Sequence, residues 1–234
     1  MEEVRLTGGR VTQGVVRVGG TVRRPPRANA QLVRVLLTQL EERGFAGAPR
    51  HLGTDDRGRE IFSFLPGRVP LDLDPTIPDE ALLAAARLIR RFHDATADTA
   101  LAAGHEVVCH NDLSPCNFVF RDGVPAGIID FDAAAPGTRL QDLGMALFLW
   151  LNLGTDGPEL AEQARRIGLF CRAYGTRADR EVVGAIIAAV GANLEQLRDS
   201  RPSDAEWWQE QLDWLEQRRR ELVTALRVTE SRGS

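Results

Sequence analysis

The chain has 234 residues, of which 43% are hydrophobic and 26% charged, and its formal net charge is −4. These proportions suit a soluble globular protein of one domain or two small lobes, and the acidic balance excludes a general nucleic-acid binder, which needs clustered positive charge. No run of about 20 apolar residues occurs, so no membrane span is predicted, and the Met-Glu-Glu start without a signal peptide predicts a cytoplasmic protein.

The first elements are short. Val4 to Leu6 and Val15 to Val18 read as strands, Gly19-Gly20 as a tight hairpin turn, and Thr21 to Arg24 as a third strand stopped by Pro25-Pro26. The turn between the first two strands carries Gly8 and Gly9. It can cover nucleotide phosphates with backbone N–H groups, or be an ordinary hairpin turn. The chain has no lysine: all 29 positive residues are arginine. A Walker A loop, which requires Lys, is excluded, and any phosphate clamp falls on Arg. Strand alternation lets only one of Arg23 and Arg24 face a cleft. The other reading makes both solvated edge charges.

Asn29 is placed to cap a helix from Ala30 to Arg43, with Leu32, Leu36, Leu37 and Leu40 on one face and Gly44 as its stop. Arg59 to Leu65 reads as a strand that leaves at Pro66-Gly67. Pro78-Asp79-Glu80 opens a helix to about Thr96 with a wide apolar face, and His93 at its end is read as a packed or capping residue.

The stretch Val107 to Asp132 carries the chemistry. Val107 and Val108 lead into His110 and Asp112, and a polar loop ends at Asn117. Phe118 to Phe120 is an apolar strand run, Arg121-Asp122-Gly123 a turn, and Gly127 to Ile129 a second strand that ends in Asp130 and Asp132. Antiparallel pairing in such a hairpin brings Asn117 and Asp130 close together. Their oxygens are hard ligands suited to Mg²⁺, and Asp112 can accept a proton from an attacking hydroxyl. The order His110-Asn111-Asp112-Leu113, then Asn117, then Asp130-Phe131, follows the catalytic loop and metal motif of protein kinases. Two departures point to a small acceptor. Asn111 stands in place of Arg, and Asp132 in place of Gly. The short path to Asp142-Leu143-Gly144 leaves no room for a peptide-binding platform, and no Ala-Pro-Glu is present. A phosphatase reading of Asp130 and Asp132 fails on context, because that motif follows the first strand of a parallel domain. Cys109, Cys116 and Cys171 are odd in number and lack metal-type spacing, so reduced thiols are expected.

Beyond Asp142, Leu143 to Leu153 is an apolar helix containing Trp150, too short to span a membrane. Pro158 to Tyr174, Asp179 to Arg198 and Ser203 to about Leu226 are predicted helices, the last with a Ser203–Glu206 capping box. Trp207, Trp208 and Trp214 can stack a sugar or base, and packing between helices is the stronger expectation for most of them.

The segment His110 to Asp142 resembles the aminoglycoside phosphotransferase family and its choline-kinase-like relatives. The shared features are His-Asn-Asp-Leu-Ser-Pro-Cys-Asn, the Ile-Ile-Asp-Phe-Asp strand end and the following Asp-Leu-Gly. The resemblance implies an α+β, bilobal protein-kinase-like fold, with a β-rich N-lobe over 1–66 and a mostly helical C-lobe over 67–234. It implies transfer of the γ-phosphate of ATP or GTP, with Mg²⁺, to a hydroxyl of an antibiotic (aminoglycoside, nucleoside or similar) or a small metabolite, in resistance or self-resistance. Asp112, Asn117 and Asp130 would be catalytic, with Asn117 and Asp130 on the metal. Gly8, Gly9, Arg23 and the hinge residues Ser63, Phe64 and Leu65 would bind the nucleotide. Arg23 is preferred over Arg24 by its match to the family's Leu-Arg strand. His110 would brace the loop, and Asp142 would be partly buried and bonded to catalytic-loop backbone. The family's helix Glu has no counterpart, since Gln31 or Val33 occupies its region. That absence keeps open an alternative class, a nucleotide-binding pseudokinase that regulates or binds.

Overall fold

The computed structural model describes residues 2–6, 14–72 and 76–231. Two compact units form, Met1–Leu73 with Leu88–Gly137, and Asp74–Arg87 with Thr138–Ser234. The catalytic stretch therefore belongs to the same compact unit as the N-terminal strands.

The first unit contains a five-stranded antiparallel sheet built from β1 (Glu3–Arg5), β2 (Val16–Val18), β3 (Thr21–Arg24), β4 (His51–Thr54) and β5 (Glu60–Ser63), in the order β1-β2-β3-β5-β4. Strand β4 has little signature in the sequence because His51-Leu52-Gly53-Thr54 is short and broken by a glycine, where the ladder also slips register. Helix α1 (Ala30–Glu42) buries Val33, Leu36, Leu37 and Leu40, the 3.6-residue stripe expected of an amphipathic helix. Asn29 precedes it, but its side chain makes no cap hydrogen bond. It donates instead to the backbone carbonyl of Asp132.

Helix α2 (Asp79–Thr96) contributes Phe92 and His93 to this unit, both buried. Phe92 packs against Phe45, Phe131 and His110, with ring centroids 6.1, 5.7 and 6.3 Å away. Strand β6 (Val107–Cys109) pairs with β9 (Ala135–Gly137), an element hidden in the sequence by Pro136. Strands β7 (Phe118–Arg121) and β8 (Val124–Ile128) form the expected hairpin. Its turn residues Asp122 and Gly123 both take positive φ, 51° and 79°, as a two-residue primed turn requires.

Gly67 fixes the path out of β5. Its φ is +146°, and a Cβ there would lie 2.5 Å from the Phe120 carbonyl oxygen. Arg68 then exchanges two backbone hydrogen bonds with Phe120, 2.9 and 2.8 Å. Gly67→Ala should destabilise by at least the 1–3 kcal/mol or so typical of overpacking, because the obstructing atom is backbone and the φ is unsuited to a side chain. Denaturant unfolding with an unchanged midpoint would refute this close approach.

The second unit is helical, with α3 (Arg139–Leu151), α4 (Leu160–Tyr174), α5 (Arg180–Ser200) and α6 (Pro202–Ser231). Helix α3 starts four residues before the expected Leu143. Thr138 caps it by accepting the Gln141 N–H at 3.1 Å, so Asp142 lies inside the first turn and is buried. Gly144 of α3 has no room for a side chain, since a Cβ would strike the Ala185 carbonyl of α5. Helix α6 begins on Pro202, a residue pre-set for the first helical position. Ser203 is thus inside the helix, and the anticipated capping box gives way to a contact between Ser203 Oγ and Asp204. Trp208 packs on Phe148, while Trp207 is 40% exposed and donates to Asp156 at 2.8 Å. Among the described residues no helix is long and apolar enough to cross a membrane.

Candidate active site

The loop after β6 is held by its own side chains. Asn117 Nδ2 donates to the Asp112 carbonyl at 2.9 Å, closing the polar loop. The Ile129 N–H donates to the Asn117 carbonyl at 2.9 Å, which ties the two ends of the β7–β8 hairpin together. His110 is fully buried, with Nε2 3.0 Å from the Ile129 carbonyl and its ring 4.8 Å from that of Phe131. His110 thus braces the loop, as its motif position implies. Asn111, in the left-handed region at φ 61°, donates to the Ala133 carbonyl at 2.8 Å. An Arg at this position could not make that short-range contact in the same way, so the departure from the protein-kinase pattern has a structural use. Asp112 itself is exposed.

Asp130 also sits in the left-handed region, at φ 66°. Asp and Asn tolerate that conformation better than most residues. It turns the carboxylate out of the strand line and into a cluster with Asp132 and Asp112. Burial first, then the neighbouring Asp132 and Asp112 charges, push the Asp130 pKa up, against the pull of Arg24 and His110. Among the described residues no group of three or more His, Cys, Asp or Glu side chains is arranged to hold a metal ion, but a divalent cation at the Asp130 carboxylate would favour its ionised form.

The cation facing this cluster is Arg24, not Arg23. Arg24 is 9% exposed. It reaches Asp132 through both terminal nitrogens, at 3.0 and 2.6 Å, and Asp130 at 3.4 Å. Arg23 points from the opposite face of β3 to Asp55, 3.3 Å away, where Arg59 also binds. Burial works to raise the Asp55 pKa, but two backbone N–H groups and the Arg59 side chain outweigh it and hold the carboxyl at about 2. One arginine of the two faces the cluster, as alternation requires, and it is not the one expected: similarity to a strand motif does not reveal which side of a sheet is covered. Asp132 was not singled out as a cation anchor from the sequence. Arg24 at 2.6 Å and Arg27 at 3.6 Å both converge on it, and the only signal was its replacement of a glycine.

The remaining expectations divide. Gly8 and Gly9 lie outside the described residues. The Ser63 N–H donates to the Arg50 carbonyl and the Phe64 N–H to the Gly20 carbonyl, both at 2.9 Å. These two amides are used within the protein. In α1, Gln31 is exposed and Val33 is buried. The helix presents a cation instead, with Arg34 Nε 2.8 Å from Glu60 of β5. A cavity of about 700 Å³ lies in the second unit, lined by Thr155, Arg198, Glu206, Asp213 and Trp214 among others. None of the catalytic or nucleotide-binding residues expected from the sequence lines it.

The model of the phosphotransferase enzyme family matches residues 95–179, a span that includes the whole loop and hairpin. The trifolitoxin immunity protein of Rhizobium leguminosarum bv. trifolii is 35% identical over 192 residues, covering 75% of this chain and 72% of that protein. The chain belongs to the phosphotransferase enzyme family. Solved phosphotransferases share its fold at lower identity. The macrolide 2'-phosphotransferase MphH of Brachybacterium faecium superposes with a TM-score of 0.58 at 18% identity, covering 83% of this chain and 85% of its own. The streptomycin–ATP complex of APH(2")-IIa gives 0.58 at 13% identity, covering 92% and 93%. These likenesses establish the α+β kinase-like fold of the phosphotransferase, and its site rests on the geometry above.

Proposed function

We propose that this phosphotransferase moves the γ-phosphate of ATP or GTP to a hydroxyl of a small molecule. The observation that carries the reading is the convergence of Arg24 from β3 on Asp130 at the end of β8, beside the Asp112–Asn117 loop. Asn117 and Asp130 would hold Mg²⁺ through side-chain oxygens, and the ion would supply charge neutralisation for the donor phosphates. Asp112, exposed at the head of the loop, orients the acceptor hydroxyl and takes its proton. Arg24 clamps the donor phosphates, and its planar fork suits two oxygens at once. Catalysis is then mostly positioning and electrostatics.

The acceptor class is read as an antibiotic or toxin-like metabolite, and the role as resistance or self-resistance. The kinship with an immunity protein supports this, and the chain shares its fold with a macrolide 2'-phosphotransferase and with a phosphotransferase solved in complex with streptomycin and ATP. The test is a screen of ATP and GTP with Mg²⁺ against hydroxylated antibiotics, sugars and amino alcohols, reading transfer of labelled phosphate. A second reading, an immunity module that binds nucleotide without turnover, is favoured by one observation: α1 offers Arg34 where kinases offer Glu. Nucleotide binding without transfer to any member of the panel would select it.

The clamp gives a ranked prediction. Charge-assisted hydrogen bonds contribute about 1.5–3 kcal/mol, so Arg24→Gln should raise the nucleotide KM about 10- to 100-fold. Arg23→Gln should leave KM nearly unchanged, since its partner is Asp55. Steady-state kinetics with the donor varied would overturn the assignment if the two variants ranked the other way.

A further inference from the structure

Kinases aim the strand cation with an acid on the following helix, and α1 has none in that place. Residues directly opposed across antiparallel strands share a face, and Arg24 of β3 is opposed to Glu60 of β5. Phe62, two residues on, lies on the same face of β5, and the Arg24 guanidinium sits 5.0 Å over its ring. Arg24 therefore lies along the strand face that carries Glu60. Glu60 is fully buried. Its Oε1 accepts from Arg34 at 2.8 Å and is 3.5 Å from His51. Its Oε2 is buried with no hydrogen-bond partner, and so is the Nε–H of Arg24. A buried donor and a buried acceptor left unpaired are each costly, and here the two belong to one cross-strand pair.

We propose that Glu60 is the positioning carboxylate for Arg24, receiving its Nε–H on Oε2 when the guanidinium turns from Asp130 and Asp132 to the donor phosphates. This rests on reading Arg24 as the phosphate clamp. The usual arrangement is then reversed. The helix supplies a cation, Arg34, that fixes Glu60 through Oε1, and the strand supplies the acid. Arg24 gives up carboxylate contacts in reaching the phosphates, and Glu60 restrains its stem so that both Nη groups stay aimed. The anchor comes from the sheet, so no acid is needed at Gln31 or Val33.

The test is a double-mutant cycle on binding of a non-hydrolysable ATP or GTP analogue with Mg²⁺, measured by calorimetry. Glu60→Gln should weaken binding about tenfold in the wild-type background, as expected for one charge-assisted hydrogen bond, and less than about twofold in Arg24→Gln. Equal losses in both backgrounds, or no loss in either, overturn the inference while leaving the phosphotransferase reading intact. Failure of the wild-type protein to bind either analogue overturns both. Glu60 also anchors α1, so a second measurement avoids its substitution. The Arg24 Nε–H resonance of the wild-type protein, identified by its loss in Arg24→Lys, should move downfield when the analogue binds. An unmoved resonance overturns the proposal.

Discussion

Asp130→Asn should leave the ligand-free protein as stable as the wild type and remove most of the stabilisation by nucleotide with Mg²⁺. The substitution keeps size and tolerance of φ 66°, whereas Ala would add backbone strain to the readout. The raised Asp130 pKa gives the sign. The folded protein binds this proton more tightly than the unfolded chain does, so ionisation of Asp130 lowers stability as pH rises through its pKa. Removing the charge relieves repulsion from Asp132 and Asp112, and the ion pair that the substitution weakens, with Arg24, is a long one of 3.4 Å. Asp132 still holds Arg24 at 2.6 Å. A ligand present at 100 times its Kd adds about 2.7 kcal/mol, or roughly 5–10 °C in Tm for a chain of this size. The wild type should show that shift and the variant only a small part of it. A full shift in Asp130→Asn would remove Asp130 from the metal site and with it the basis of the proposed function.

The loop and hairpin were legible in the sequence because their information is local. The His110–Asn117 spacing, the Asp122-Gly123 turn and the strand end at Asp130 each lie within a few residues, and local geometry follows from local sequence. Arg24 was not legible as the inward cation. Its direction depends on which face of a three- to four-residue strand is covered by distant residues, and Arg23 and Arg24 are chemically identical. The Glu60–Arg34 pair was invisible for the same reason, since it joins β5 to α1 across 26 residues. Strands β4 and β9 were missed because Gly53 and Pro136 weaken propensity where tertiary pairing decides the outcome. The α3 start was displaced because the apolar run begins only at Leu143, while Thr138, with extended backbone, accepts the Gln141 N–H and starts the helix earlier.

Asp112→Asn should cut kcat by about 10²–10⁴-fold, the usual scale for losing a general base, while nucleotide and Mg²⁺ affinity stay nearly unchanged. That is about 3–5 kcal/mol of transition-state stabilisation. The separation follows from the placement of the side chain. Asp112 contributes its backbone carbonyl to Asn117, and Asn keeps that carbonyl, so the loop that presents Asn117 survives the change. The side chain is exposed, so folding stability should not fall with it. Loss of its negative charge should, if anything, ease the approach of anionic phosphate. The size of the kcat loss reports the transition state. A loose, metaphosphate-like transition state draws little on the base and puts the loss near the lower bound, while a tighter one puts it near the upper. Single-turnover transfer to the acceptor found in the screen, at saturating donor, measures this directly. Transfer at the wild-type rate would mean that Asp112 neither takes the proton nor orients the hydroxyl, and that the positioning of donor and acceptor by other groups carries the reaction.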